Sequence, residues 1–186
     1  MQGIFGYTAS LISADVDGAA LTNSTTPTSL LQAGSKKLLG GNLLSKVGHQ
    51  ILVKASGKIS TVVTTPGTLT LDLRIGSVVV ANGGAMVLST SAKTNVSWYL
   101  EWLLTLRSKG GGTAATFMHQ GVFWSEAAGA TSVAGEMKAI GLPQSAPAVG
   151  TGFDETAAAY LDLFGTWSVA NASNSILCNQ FLALAL

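Results

Sequence analysis

The chain has 186 residues, enough for one domain that buries about 70% of the surface exposed by its unfolded form. Charged residues make up only 10% of it, against about 25% in an ordinary soluble domain, while 47% of the residues are hydrophobic. Ten basic and nine acidic side chains nearly cancel, which excludes an overall field that would attract nucleic acid. The single cysteine, Cys178, excludes an intrachain disulfide.

This shortage of charge indicates how the surface is used. Lys and Glu are depleted from buried protein interfaces, so the composition predicts a surface largely covered by copies of the chain or by other subunits. A monomer coated with Ser, Thr and Asn is the alternative. We expect no signal peptide, because the first 35 residues contain no Lys or Arg. We also expect no membrane span, because polar residues such as Asn171, Asn174 and Gln180 interrupt the uncharged segment 163–186.

Residues 1–35 show weak periodicity and many small polar side chains. Five apolar side chains stand out as anchors on this otherwise flexible segment, namely Ile4, Phe5, Tyr7, Leu11 and Ile12. The sequence therefore divides into an N-terminal arm over residues 1–35 and one domain over residues 36–186. We predict that the anchors bind a partner, and packing on the chain's own domain fits the same pattern.

Five lysines lie between Lys36 and Lys58, and no acidic residue follows before Asp72. Such a cluster fits either a solvated face or a surface that docks on an acidic partner. No aromatic residue lies among the lysines, which argues against base stacking on nucleic acid. The same part of the chain contains a predicted strand over residues 49–60, in which Ile51 and Val53 share one face.

Two long amphipathic strands dominate the centre of the chain. Over residues 68–75, apolar and polar side chains alternate strictly, as in a strand with one buried face. Over residues 95–107 the alternation is longer, with Trp98 and Trp102 on the apolar face and Tyr99 on the other. Apolar faces of this quality need a second layer to cover them, so the sequence predicts a β-sandwich.

Glycine and proline separate the remaining elements. Asn82-Gly83-Gly84 has the composition of a hairpin turn. Residues 108–113 form a predicted hairpin loop and not a phosphate-binding loop, because no Gly-Lys-Ser/Thr follows. Residues 127–150, rich in Ala, Gly, Ser and Pro, predict a long surface loop that wraps an edge of the sandwich. Further strands are predicted over residues 114–124, 156–170 and 175–186.

The last predicted strand is apolar in places on both faces. Uninterrupted alternation places Cys178 and Gln180 on one face and Asn179 and Phe181 on the other. About eight strands joined by Gly/Pro turns predict an all-β fold, a single antiparallel β-sandwich of the jelly-roll type with an extended N-terminal arm.

The residue types that carry most catalytic chemistry are scattered along the chain. His49 and His119 lie on different predicted strands, with no neighbouring ligand at metal-binding spacing. Asp154 and Glu155 are adjacent, and neighbours on an extended segment point to opposite sides, which makes a poor acid–base pair. Cys178 is interpreted as a small core residue. We therefore expect no catalytic, metal or cofactor site.

Several stretches resemble structural proteins of tailed bacteriophages. The similar segments are Val53–Thr61 (VKASGKIST), Pro66–Leu71, Leu103–Ser108, Ala148–Asp154, Leu161–Phe164 and Asn174–Ile176. They fall within residues 25–186 and consist of turns and strand patterns, not site residues. The resemblance implies a β-sandwich that assembles through its surfaces, and it implies no catalytic residue.

Together with the low charge, this resemblance favours a non-enzymatic virion protein, a capsid decoration (cement) protein that binds and stabilises the assembled shell. Its partners would be the major capsid protein or other virion proteins, together with copies of itself in a trimer on a symmetry axis. We expect neither a membrane nor nucleic acid as a partner. One alternative is a tail or fibre component. The other is a carbohydrate-binding module in which exposed Trp or Tyr side chains contact a sugar.

Overall fold

The computed structural model describes residues 9–36, 38–131 and 133–186. Among these residues, two antiparallel sheets account for all the strands, and one 3-10 turn, Ala33–Ser35, lies between the third and fourth strands. The strands are β1 Ala9–Ser13, β2 Leu21–Thr22, β3 Thr28–Ser29, β4 Leu38–Leu39, β5 Gln50–Thr61, β6 Thr68–Ile75, β7 Val78–Val87, β8 Lys93–Ser108, β9 Thr116–Ser125, β10 Lys138–Leu142, β11 Ala148–Val149, β12 Ala159–Trp167 and β13 Ser175–Ala185. The predicted all-β fold with two antiparallel sheets is confirmed.

Sheet A, the larger of the two described sheets, runs in the order β1-β13-β5-β8-β9-β10, with β2 also on β13 and β11 also on β9. Sheet B runs β3-β12-β6-β7, with β4 also on β12. The chain leaves sheet A for sheet B after β2, after β5 and after β11, and it returns each time. Because β10 and β11 both pair with β9, the segment predicted as a long loop does wrap an edge of the sandwich.

The core lies between the two sheets and follows the alternation of the long strands. On β8, the inward side chains from Trp98 to Leu106 are at most 1% exposed, and Leu69, Leu71 and Leu73 of β6 are fully buried. Each large apolar side chain buried in this way stabilises the fold by about 1.5–3 kcal/mol. The faces predicted for these two strands are confirmed.

Three tryptophans in this core also have partners for their indole N–H groups, as buried tryptophans require. Trp98 Nε1 donates to the carbonyl oxygen of Leu177 at 3.1 Å, and Trp167 Nε1 donates to that of Leu21 at 3.2 Å. Trp102 Nε1 donates to Nδ1 of His119 at 3.3 Å. These bonds fix the ring orientations, and those of Trp98 and Trp167 connect segments that are distant in sequence.

Asn82-Gly83-Gly84 was predicted as a hairpin turn, and that prediction is wrong. The three residues lie inside β7, where the register with β6 shifts between the pairs Asn82–Asp72 and Ala85–Thr70. Gly84 has a φ of +77°, and its N–H donates to Oδ1 of Asn82 at 2.8 Å. The Asn-Gly-Gly composition therefore accommodates a β-bulge, an irregularity that needs the same backbone freedom as a turn.

A second bulge changes the faces of β13. Its register with β5 shifts between Cys178 and Gln180, so Asn179 has no partner in the ladder. Cys178 and Phe181 are consequently both buried, at 2% exposure, whereas Gln180 is exposed. The prediction that Phe181 and Cys178 lie on opposite faces is wrong because one extra residue reverses the alternation.

From Ala9 onward, the segment predicted to be an arm is part of the sandwich. β1 and β2 pair with β13, and β3 pairs with β12. Ile12, Leu21 and Leu30 are at most 4% exposed and belong to the core. Within the described residues, the boundary predicted at residue 35 does not divide an arm from a domain. These side chains bury their apolar surface in the core of the same chain.

Ionic contacts also hold the end of this segment on the outer side of sheet B. Asp162 of β12 accepts a hydrogen bond from Ser29 Oγ at 2.8 Å and pairs with Lys36 Nζ at 2.6 Å. Arg74 of β6 lies 4.0 Å from the ring centroid of Phe164 and pairs with Asp72. Opposite charges and an aromatic ring therefore cover this part of sheet B, where Asp72 and Asp162 are nearly buried.

Candidate interaction surface

The outer side of sheet A carries a band of apolar side chains, which we call the open face. It is built from outward positions of four neighbouring strands, β13, β5, β8 and β9. Its apolar members are Leu52, Tyr99, Leu103, Met118, Val122, Trp124, Leu182 and Leu184. Each of them is partly exposed, and in the part of the chain that the structure describes no strand packs over them.

Cross-strand pairing makes this band continuous. Leu52 lies directly opposite Leu184 of β13 on one side and Leu103 of β8 on the other. Further along, Tyr99 pairs with Trp124, and their ring centroids are 5.4 Å apart. Directly opposed side chains lie about 4.5–5.5 Å apart at Cβ, so these residues present one apolar surface and not isolated exposed groups.

The only ion pair found on the open face among the described residues is neutral overall. Lys54 of β5 lies opposite Glu101 of β8, with Nζ 3.0 Å from Oε2. The pKa of Lys54 is raised, first by its hydrogen bond to Glu101 and then by Tyr99. Such an exposed pair adds little to stability, but it leaves the centre of the face with complementary charges that a partner can match.

The extent of the open face can be compared with known interfaces. Four strands spaced about 4.8 Å apart, with about seven residues of each at 3.3 Å, give a face on the order of 440 Å². A standard protein interface buries about 800 Å² on each partner, and weak ones bury less than about 600 Å². The open face is therefore large enough for one modest interface, or for the central part of a standard one.

Of the five partner-binding residues predicted from the sequence, the two that the structure describes, Leu11 and Ile12, do not belong to the open face. Ile12 is 1% exposed and packs in the core, because β1 pairs with β13 and directs it inward. Leu11, its neighbour, is half-buried against the same core. Ile4, Phe5 and Tyr7 lie outside the described residues, so the prediction for them stays a prediction.

The lysine cluster predicted between residues 36 and 58 is divided between the two sides of the sandwich. Lys36 lies on the outer side of sheet B with Asp162, whereas Lys54 lies on the open face with Glu101. Lys46 and Lys58 are exposed. A cluster divided in this way favours the solvated-face interpretation over one continuous docking surface.

The candidate catalytic residues are not brought together. Cys178 is 2% exposed, as predicted for a core residue, and burial raises the pKa of its thiol to about 12. Asp154 accepts hydrogen bonds from Thr156, whereas Glu155 is buried with Oε1 3.4 Å from Lys109 Nζ. Among the described residues, no group of three or more His, Cys, Asp or Glu side chains is placed to hold a metal ion.

The tryptophans likewise form no sugar-binding platform of exposed rings. Trp98, Trp102 and Trp167 are at most 1% exposed, and only Trp124 reaches the surface, beside Tyr99. The sequence prediction that most of them belong to the core is confirmed. The open face itself was missed, although Leu52 and Leu103 gave a signal as apolar residues at positions where an amphipathic strand would be polar.

Comparisons with known proteins add no identification. A scan against models of known protein families finds no match, and a search of curated proteins finds no significant relative. No helix in the described parts of the chain is long and apolar enough to span a membrane.

Proposed function

We propose that this protein is a non-enzymatic structural protein of a tailed-bacteriophage virion, a capsid decoration protein that binds the assembled shell. The open face is the observation that carries the proposal. It places an uncovered apolar surface on a chain in which only 10% of residues are charged. Large apolar surfaces left exposed on soluble proteins mark sites of association.

The strand order supports a jelly-roll topology, an architecture found in viral capsid and lectin domains. In a jelly roll whose strands are lettered B to I in chain order, one sheet reads B-I-D-G and the other C-H-E-F. Here sheet A contains β1-β13-β5-β8 and sheet B reads β3-β12-β6-β7, which match these letters in order. The strands β9, β10 and β11 extend the first sheet beyond β8, and β9 contributes Met118, Val122 and Trp124 to the open face.

Decoration would stabilise a shell by mass action. A protein that binds the assembled shell but not its dissociated subunits shifts the equilibrium toward the shell, by about 2.7 kcal/mol per site at a free concentration of 100 times Kd. Three copies around a local threefold axis would each direct one face toward the shell, which supports a trimer as the form on the particle.

The proposal is tested by adding purified protein to particles that lack it and locating the added density by electron microscopy. Leu103→Lys places a charge at the centre of the open face and should abolish the density on the shell. The matched control is Val87→Lys, which adds the same charge at an exposed position of sheet B. Density on the tail instead of the shell, or equal binding of the two variants, would contradict the proposal.

A further inference from the structure

A cleft of about 410 Å³ lies away from the open face, between the two sheets. One wall is β7 of sheet B, and the other is β9 of sheet A with the segment Pro143–Thr151. The base of the cleft carries His119, which lies on the inner side of β9, opposite Leu104 of β8. The cleft therefore uses the opposite side of sheet A from the open face.

His119 is 3% exposed, and its hydrogen bonding is fixed on one side only. Nδ1 accepts the N–H of Trp102 at 3.3 Å, so a neutral ring must carry its proton on Nε2. Nε2 has no hydrogen-bond partner among the described residues. It also keeps some contact with solvent, unlike the fully buried unpartnered atoms Thr61 Oγ1 and Glu155 Oε2. Burial lowers the pKa of His119, which supports the neutral form at pH 7. The side chain thus presents one oriented donor to the cleft.

The other groups in the cleft are polar but uncharged. Oδ1 of Asn82 accepts the N–H of Gly84 at 2.8 Å, which leaves its amide NH₂ free to donate. Ser145 and Thr151 lie exposed at the rim and can donate or accept, and Val79 and Val149 add apolar surface. No charged side chain lines the cleft among the described residues, so an ionic ligand would lose hydration without gaining a counter-charge.

We propose that this cleft binds an uncharged saccharide of one or two rings. A sugar hydroxyl offers an oxygen acceptor to His119 Nε2–H and to the amide of Asn82. The rim hydroxyls match the donor and acceptor character of further sugar hydroxyls, and the apolar side chains match the C–H surfaces of a ring. The volume is near the lower end of the roughly 300–1,000 Å³ of small-molecule sites. This site is independent of the proposed shell-binding role.

The test uses the full chain labelled with ¹⁵N-histidine, titrated with glucose, N-acetylglucosamine and maltose. The chain contains two histidines, so His49 is an internal control in the same NMR spectrum. We expect at least one of these sugars to shift the Nε2 resonance of His119 saturably and to leave His49 unchanged. Asn82→Ala should weaken that binding about tenfold through the loss of one hydrogen bond.

Gln120→Ala is the matched control for Asn82→Ala. It removes an exposed amide from β9, the strand that carries His119, but on the side that faces away from the cleft. This variant should leave the sugar affinity unchanged. It should also leave the fold unchanged, as monitored by the His49 resonance. Thr151→Val provides a second variant that should weaken binding at the rim. The proposal is overturned if none of the sugars shifts His119. It is also overturned if inorganic phosphate or the uncharged peptide N-acetyl-alanine methylamide binds in their place.

Discussion

Replacing Trp102 by alanine tests how the sandwich is held together. The side chain is fully buried, and it connects the centre of β8 to His119 on β9. Its ring also reaches sheet B, where Cη2 lies 3.5 Å from the position that a Cβ on Gly83 would occupy. Removing it therefore opens a cavity between the sheets and leaves Nδ1 of His119 without its donor.

The magnitude follows from these contacts. Truncating a buried Trp to Ala costs about 3–5 kcal/mol, and a buried acceptor left without a donor costs about 1–3 kcal/mol. A water that enters the cavity recovers part of the second contribution, so we expect a loss of about 4–5 kcal/mol. In a domain of this size the midpoint falls by about 2–4 °C per kcal/mol, which predicts a decrease of roughly 8–20 °C.

Urea denaturation followed by circular dichroism measures the free energy of unfolding, and calorimetry measures the midpoint. Trp102→Phe separates the two contributions, because it retains most of the packing and removes only the N–H donor. Tyr99→Ala, on the open face, should cost no more than about 1.5 kcal/mol, the upper value for an aromatic pair such as it forms with Trp124. A Trp102→Ala protein within about 1 kcal/mol of the wild type would refute the assignment of faces on β8.

The other predictions concern the N-terminal segment, two buried titratable groups and the oligomeric state. Deleting residues 1–35 should prevent folding, because it removes Ile12 and Leu30 from the core; a folded truncated protein in circular dichroism would contradict this. Burial lowers the pKa of His119 from 6.5, so the unfolded chain binds the proton first on acidification. The contribution of His119 to the free energy of unfolding should therefore be constant above about pH 6.5 and decrease below it, and His119→Gln should flatten that decrease in urea titrations. Because the pKa of Cys178 is raised to about 12, the native thiol should not react with Ellman's reagent at pH 8 until urea unfolds the chain. Light scattering should detect a trimer, in solution or after release from particles, and a protein that is monomeric in both would contradict the proposed symmetry.

Alternation of side chains along the long strands was sufficient to predict the fold class. On β6 and β8, the period of two places Leu71 and Trp102 in the core, and it also predicts that a second sheet covers them. This information is local, because the pleat alone decides which side of the strand each residue faces. The same reasoning predicted a buried Cys178. It succeeded there because Cys178 lies before the bulge in β13, where the alternation is still regular.

Contacts between distant residues decided what the pattern could not predict. The extra residue at Asn179 is tolerated because β5 and β1 hold β13 on both sides, and the bulge reverses the faces of everything after it. The short strands β1 to β3 have too little periodicity of their own, and they exist because β13 and β12, more than 100 residues later, supply their hydrogen-bonding partners.

The candidate sites depend on tertiary structure in the same way. Both sides of sheet A include apolar residues, and only the path of the chain between the sheets decides that sheet B covers Trp102 and leaves Leu103 exposed. His119 faces a cleft because the segment after β10 returns to β9 beside it, with Ala148 paired opposite. The sequence by itself determined the strands, their alternation and the need for two layers, since these follow from neighbouring residues. The bulges, the uncovered face and the cleft were decided by the tertiary structure, because each requires backbone partners that no local pattern specifies.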